Sequence, residues 1–414
     1  MPPAPTVLIA GAGVVGLAVA ALLAKGRCAD RVRVLVLDAR PSPRWRAEEL
    51  DPRVYALSRA SQQLLEQVGV WRHVVRTRAA PYRRMRVWEG ADAFAPSALD
   101  FDSAEIGEPD LGTIVEDSLL RSVLAEALAG APQAQLQVGA EITSVAVDER
   151  EVVVELGLRG SVRGTVLLAA DGSDSAVRRL CGLPVTRHRY EQTAIVTHVT
   201  SSSSHQDTAW QRFLPGGPLA LLPLADGRSS VVWSLPAQSG ERLLAASDAE
   251  FIAELCAASA GVLGEITACS KRVAFPLQAL HALRYSTQRV ALLGDAAHTV
   301  HPLAGQGMNL GLLDAAAVSA AIEDALLAGE DIGDAKVLRR YERERKGDNL
   351  AMLAAFDALN RLFGLPDWVA PLRGMGLRAV ETADPVKRLL MGKALGLAAG
   401  RRNRLRWSRA EPQA

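Results

Sequence analysis

The stretch Thr6-Val7-Leu8-Ile9-Ala10-Gly11-Ala12-Gly13-Val14-Val15-Gly16 sets five residues suited to a buried strand before three glycines in the spacing G-x-G-x-x-G. An Ala- and Leu-rich run follows to about residue 25, and residues 32–38, ending in Asp38, read as a second aliphatic strand. Strand, helix and strand in that order predict a βαβ unit with a parallel sheet. Each loop residue has a physical job. Gly11 permits a tight turn, Gly13 lets a pyrophosphate reach the backbone and helix N-terminus, and Gly16 lets helix and strand pack closely. Asp38, 22 positions after Gly16, accepts from ribose hydroxyls. An acid at that strand end disfavours a 2′-phosphate, so the pattern points to FAD or NAD rather than NADP.

Residues 7–24 carry no charge over 18 positions, a length that could nearly span a bilayer. The three glycines divide it into strand and helix, and the leading Met1-Pro2-Pro3-Ala4-Pro5 lacks the basic start of a signal peptide. A cytoplasmic protein is expected. The 414 residues are 49% hydrophobic and 22% charged, which is globular material for two or three domains. Forty-seven basic and 46 acidic residues leave a net charge of +1, too little to gather nucleic acid, so no nucleic-acid partner is expected. Cys28, Cys181, Cys256 and Cys269 form no C-x-x-C pair, so spacing encodes no metal site.

Further along, Leu57, Leu64, Leu65 and Val68 recur at helical spacing before Gly69. Residues 81–112 turn irregular and strand-like, 118–128 are helical, and 152–170 alternate between strand and turn. Between about 185 and 273, alternating stretches separated by Gly-Pro turns predict an antiparallel sheet inserted as a second domain. A short aliphatic strand returns at 289–293, followed by a Gly-rich loop and an Ala-rich helix over about 307–327. Beyond Tyr341 the pattern is mostly helical, interrupted at Pro366, Pro371 and Pro385, and it ends in an Arg-rich tail.

Two more motifs carry chemistry. Ala170-Asp171-Gly172-Ser173-Asp174-Ser175-Ala176-Val177-Arg178 follows a strand and enters a helix, with Ser173 or Asp174 expected as its cap. The third runs Gly294-Asp295-Ala296-Ala297-His298-Thr299-Val300-His301-Pro302-Leu303-Ala304-Gly305-Gln306-Gly307-Met308-Asn309-Leu310-Gly311. Asp295, at a strand's carboxyl end, is placed to accept from ribityl hydroxyls. The glycines let a flat ring approach the backbone, and a helix starting near Gly307 aims its positive end at that ring's edge.

The three motifs in this order resemble the class A flavoprotein aromatic hydroxylases, the family that includes para-hydroxybenzoate hydroxylase. Within it, the chain is most similar to the ubiquinone-biosynthesis hydroxylases. That likeness runs through Asp51-Pro52-Arg53-Val54-Tyr55-Ala56-Leu57-Ser58, Leu111-Gly112-Thr113-Ile114-Val115-Glu116 and Gly217-Pro218-Leu219-Ala220-Leu221-Leu222-Pro223-Leu224. The resemblance implies an α/β fold: a Rossmann-like FAD-binding domain (residues 1–80, 112–184 and 274–345), an antiparallel substrate sheet (81–111 and 185–273) and a helical C-terminal region (346–414). It implies FAD bound by Gly11, Gly13, Gly16, Asp38, Arg53, Asp171, Gly294, Asp295, Pro302, Gly305, Gly307 and Asn309. Arg53 would contact the flavin, Asp171 would belong to a segment shared with NAD(P)H, and Pro302 would pack near the isoalloxazine. One departure stands out: the family's Glu-Asn-Arg is Glu116-Asp117-Ser118 here, which leaves Glu116 and Arg121 outside the expected contacts.

The implied reaction is hydroxylation of an aromatic ring, that of a prenylated phenol in ubiquinone biosynthesis, with NAD(P)H and O2 and through a flavin C4a hydroperoxide. The alternatives are a hydroxylase of a soluble aromatic, a flavin dehydrogenase or prenyl reductase, and a flavin-binding scaffold. The flavin carries the hard chemistry, so no nucleophile, metal or catalytic base is assigned. His298 and His301 read first as structural histidines. A second G-x-G-x-x-G after a strand is absent, so NAD(P)H is expected to bind transiently. Residues 212–224 with Trp210 and Trp233 read equally as a prenyl pocket or as sheet core. Leu389, Leu390, Leu395 and Leu397 precede Arg401, Arg402, Arg404, Arg406 and Arg409. They read as a solvated end or as a peripheral contact with the inner membrane or a biosynthetic complex.

Overall fold

The computed structural model describes residues 4–41, 44–300, 305–365 and 367–397. Thr6–Ala10 lies inside a six-stranded sheet, in the spatial order Ser286–Thr287, Val290–Leu292, Val166–Ala169, Thr6–Ala10, Arg33–Asp38 and Ala134–Val138. All but the Ser286–Thr287 edge are parallel. Thr6–Ala10 is apolar after its first residue because both faces are covered. The helix Val14–Lys25 is apolar nearly all round and buried from Leu17 to Ala24, as a helix inside a domain must be. The uncharged N-terminal stretch is therefore interior strand and helix. Among the described residues no helix is long and apolar enough to cross a membrane.

A second sheet runs in the order His298–Thr299, Val273–Ala282, Val185–Ser201, Ser229–Pro236, Gly217–Pro223, Thr208–Leu214, Arg84–Glu89 and Leu99–Asp102, with Ile266–Cys269 also paired to Val185–Ser201. It is antiparallel except where Arg84–Glu89 joins Thr208–Leu214 in parallel. The sheet therefore reaches back to residues 84–102 and forward through Val273–Ala282 to His298–Thr299. One face buries Leu219, Leu221, Val231, Trp233 and Leu235 with Phe251 and Leu255, under the helices Ala237–Ala245 and Asp248–Ala258. Trp233 is 5% exposed, so it belongs to the sheet core. On the opposite face, Leu222, with Leu224 just past the strand, packs with Ala56, Tyr82 and Leu111.

A small sheet of Val54–Leu57, Gly112–Glu116 and Ala80–Tyr82 joins the two halves. The helices Ala335–Phe363, Ala370–Thr382 and Asp384–Ala394 close the chain. The C-terminal leucines split in role: Leu395 is 4% exposed and packs beside Ala56, while Leu389 and Leu390 are exposed. The Arg-rich tail lies outside the described residues.

Candidate cofactor site

The carboxyl ends of four adjacent parallel strands carry the motif loops: Ala10 leads into Gly11–Gly13, Arg33–Asp38 ends in Asp38, Ala169 leads to Asp171, and Leu292 to Gly294-Asp295. Thr6–Ala10 pairs on one side with Arg33–Asp38 and on the other with Val166–Ala169. The connections thus leave the central strand in opposite directions, and the crevice opened at such a switch point is where α/β sheets bind ligands.

The glycines match their assigned jobs. Gly11 has φ +99°, and a Cβ there would stand 2.4 Å from the Ala170 carbonyl oxygen. At Gly16 a Cβ would stand 2.0 Å from the Gly11 carbonyl oxygen, whereas at Gly13 nothing lies within 4 Å. Gly16 is needed for packing, and Gly13 leaves a cradle open beside the helix start. Neither Val14–Lys25 nor Gly307–Ala328 has a side-chain cap or an acid in its first turn. Their first N–H groups lack intrahelical partners, and both positive ends are left to take an anionic group. A Cβ at Gly294 (φ +53°) would stand 3.7 Å from the Cα of Gly311, so the second helix start lies against the Gly294-Asp295 loop.

The acids are aimed by backbone. Asp38 Oδ2 accepts from Ala12 N at 2.7 Å and Oδ1 from Arg40 N at 2.8 Å, leaving lone pairs for ribose hydroxyls. Asp171 Oδ2 accepts from Val177 N at 3.2 Å, while its buried Oδ1 has no partner in the protein. Ser175, rather than Ser173 or Asp174, caps the helix Ala176–Leu180, accepting from Arg178 N. The sharp turn at Gly172, φ +86°, delays the helix, so the cap falls later than composition suggests. Asp295 is exposed to solvent, yet surrounding protein pushes its carboxyl up, with His298 and Arg53 opposing. An accessible acid ringed by protein marks a cleft. The orphaned Asp171 oxygen, the open cradle at Gly13 and two uncapped helix starts fit FAD.

A chain of alternating charge lines the crevice. Burial opposes the Arg53 guanidinium, but Tyr55, Asp117 and Asp295 around it hold its pKa up. Tyr55 Oη donates to Asp117 Oδ1 at 2.9 Å, Asp117 Oδ2 lies 3.7 Å from Arg121 Nη1, and Arg121 Nε donates to the Ala12 carbonyl oxygen at 3.1 Å. Arg121, omitted by sequence reasoning, thus sits against the glycine loop. Helical spacing from Asp117 to Arg121 was the available signal. Glu116 is structural: it accepts from Asp51 N at 2.8 Å, Trp45 Nε1 at 3.1 Å and Arg78 Nη1 at 3.3 Å, fixing the segment that leads to Arg53.

Asn309 is 3% exposed. Its Oδ1 accepts from Ser58 N at 2.9 Å and Ser61 Oγ at 2.7 Å, and its Nδ2 donates to the Ala56 carbonyl oxygen at 2.9 Å. The side chain is committed to protein, so any cofactor contact falls to its backbone N–H in the first helical turn. Gly305 (φ +61°) faces Ala56, with its Cβ position 3.5 Å from that methyl, and Gly307 opens the helix. Pro302 and His301 lie outside the described residues.

His298 is buried, and its Nε2 lies 2.5 Å from Asp314 Oδ2. Asp314 also accepts from Gly294 N at 3.1 Å, Arg345 Nε at 2.9 Å and Asn349 Nδ2 at 3.1 Å. Burial would raise the Asp314 carboxyl, but His298 and Arg345 outweigh it and pull it down to about 2. His298 is a strut of the Asp295 loop.

On the side of the second sheet, Val300 and Leu310 share a cluster with Val87, Leu99, Phe213, Phe356 and Phe363. The Phe213 and Phe363 rings stack at 3.7 Å. Arg53 reaches across, its guanidinium carbon 5.5 Å from the Phe275 ring centre. The crevice thus lies between cofactor loops and the second sheet.

Residues 5–354 match the family model described as an FAD binding domain. The chain is 37% identical over 396 residues to 3-demethoxyubiquinol 3-hydroxylase of Escherichia coli, covering 94% of this chain and 98% of that protein. It is 38% identical over 393 residues to ubiquinone hydroxylase UbiL of Rhodospirillum rubrum, covering 94% and 89%. Among solved structures, PqsL of Pseudomonas aeruginosa in complex with 2-aminobenzoylacetate superposes with TM-score 0.74 at 26% identity, over 90% of this chain and 99% of that one. The chain belongs to the FAD-binding-domain family. Within it, the chain is one of the flavin-dependent monooxygenases, as the resemblance implied.

Proposed function

We propose that this protein hydroxylates the aromatic ring of a prenylated phenol in ubiquinone biosynthesis, using FAD, NAD(P)H and O2. The observation that carries the reading is the meeting of three motif loops at one switch point, directly opposite an antiparallel sheet. Bound there, FAD supplies oxygen activation after reduction by NAD(P)H. The relatives' names, 3-demethoxyubiquinol 3-hydroxylase and ubiquinone hydroxylase, support the substrate class.

In this reading the residues assigned from the sequence hold the cofactor together with Arg121. Gly11, Gly13 and Gly16 shape the pyrophosphate cradle, Asp38 takes the ribose and Asp295 the ribityl chain. Arg53 and Asp171 flank the ring and the shared segment, and Gly294, Gly305, Gly307 and the Asn309 backbone border the ring edge. The sheet over 185–282 with 84–102 forms the substrate half. Its cleft face excludes water from the ring and positions the phenol carbon. A prenylated phenol resides in a bilayer, so the reading includes peripheral contact with a membrane.

Purified protein should be yellow and should consume NAD(P)H and O2 faster with the right phenol. Quinone profiling of a deletion strain tests the substrate: accumulation of an under-hydroxylated prenylated precursor supports it, whereas an unchanged quinone pool points to a soluble aromatic instead.

A further inference from the structure

The helices that close the substrate side leave an apolar surface uncovered. Leu362 is 42% exposed, Leu365 45%, Trp368 81%, Leu372 72%, Met375 70% and Leu389 60%. Soluble surfaces seldom gather large apolar side chains this way. Leu372 and Met375 follow Trp368 at spacings of four and three, one face of a helical turn. The inward sides of the same helices are used differently: Phe356 and Phe363, with Leu377 and Val380 against them, pack on Val300, Leu310 and Phe213. The uncovered surface is therefore the outer wall of the substrate side of the cleft.

Charge selects the occupant. From Leu365 to Ala414 the chain has ten Lys and Arg against four acids, five of them arginines beyond residue 400, while the rest is net acidic; Arg373 is buried on Glu89 at 2.9 Å. One of those acids, Glu381, is taken up by buried Lys387 at 3.0 Å, which also holds Glu105 at 2.9 Å. Arg378, Arg388 and Lys393 are exposed. Apolar side chains headed by a Trp, beside excess cations and followed by an Arg-rich tail, match an anionic lipid surface: the apolar groups enter the headgroup boundary and the cations pair with phosphates. A second copy of the chain would bring a second cationic surface against the first.

We propose that the outer face of residues 362–365 and 368–389 docks on an anionic bilayer and sets the substrate side of the cleft against it. The docking stands on its own, while delivery of a prenylated substrate through it rests on the hydroxylase reading. The test is co-sedimentation of the full-length holoprotein with vesicles of phosphatidylcholine alone and of phosphatidylcholine with 30% phosphatidylglycerol, at low and high salt. Wild type should bind the anionic vesicles at least tenfold better and lose that preference in high salt. The triple variant Trp368→Ser, Leu372→Ser, Met375→Ser should weaken binding tenfold or more while keeping its flavin content. Arg388→Gln with Lys393→Gln should reduce only the anionic preference. Equal sedimentation with and without vesicles, or unchanged binding by the triple variant, would overturn the proposal. A wild-type dimer by light scattering that the triple variant dissociates would assign the face to a second copy instead. Oxygen consumption with a short-chain, water-soluble phenol should be the same in wild type and triple variant. If neither consumes oxygen but wild type binds vesicles, the hydroxylase reading fails and the docking surface stands.

Discussion

In the parallel sheet, the cleft is shaped by backbone, by glycines, strand ends and two helix starts, with the side chains of Asp38, Asp171, Arg53 and Arg121 fixed at its edge by polar contacts. In the antiparallel sheet, what faces the same cleft is side chains, chosen by register and by which face the covering helices leave free. A backbone-built site tolerates almost no added atom at its packing glycines, whereas a site built of side chains can be reshaped one residue at a time. That contrast explains how one fold keeps a cofactor and changes a substrate.

The comparison breaks most sharply at Gly16. A side chain there meets the Gly11 carbonyl oxygen at 2.0 Å, so Gly16→Val should yield unfolded or colourless protein. Gly13→Ala meets nothing within 4 Å; it should keep the melting temperature and lose only FAD affinity. Equal effects of the two in thermal melts and flavin titration would erase the distinction between packing and cradle glycines.

Asp314→Asn leaves Arg345 and His298 without their buried counter-charge and should cost about 3–5 kcal/mol in denaturant unfolding. The Asp314 carboxyl sits at about 2 against an ordinary 3.8. Its contribution is thus present above the ordinary value and is lost as pH falls toward 2. Acid unfolding of wild type should accordingly be steeper over that window than that of the variant.

In the second sheet, Trp233→Ala should cost about 3–5 kcal/mol without altering which phenols are accepted, because Trp233 packs on Phe251 beneath the helices. A selectivity change at unaltered stability would restore the pocket reading. Ala220 pairs with Val232 and Gln211 on the opposite, cleft-facing side. Ala220→Phe should lower kcat/KM for the phenol by about tenfold through misplacement, with NAD(P)H-independent flavin content unchanged.

How much of this was readable in the sequence follows the same division. The strand, glycine loop and helix at 6–25 and the helix start at Gly307 were legible, since local spacing specifies them. Arg121 was left out because Glu116-Asp117-Ser118 departs from the family's Glu-Asn-Arg, whereas its place depends on Asp117 and on the Ala12 carbonyl more than a hundred residues away. The Asp314, Arg345 and Asn349 support of the Gly294 loop spans residues 294–349 and has no local signature. The parallel pairing of Arg84–Glu89 with Thr208–Leu214 joins strands more than a hundred residues apart, and alternation cannot reveal a partner. Trp210 and Trp233 read equally as pocket or core because periodicity identifies two faces but not which one a helix will cover.

The crevice joins Gly13 to Asp295, some 280 positions later in the chain. A ribosome adding about 5–20 residues per second releases the first glycine loop roughly a quarter of a minute to a minute before the Gly294-Asp295 loop emerges. The nascent protein therefore holds an incomplete nucleotide cradle until roughly two thirds of the chain has been made, so the site cannot be completed before the Gly294-Asp295 loop exists.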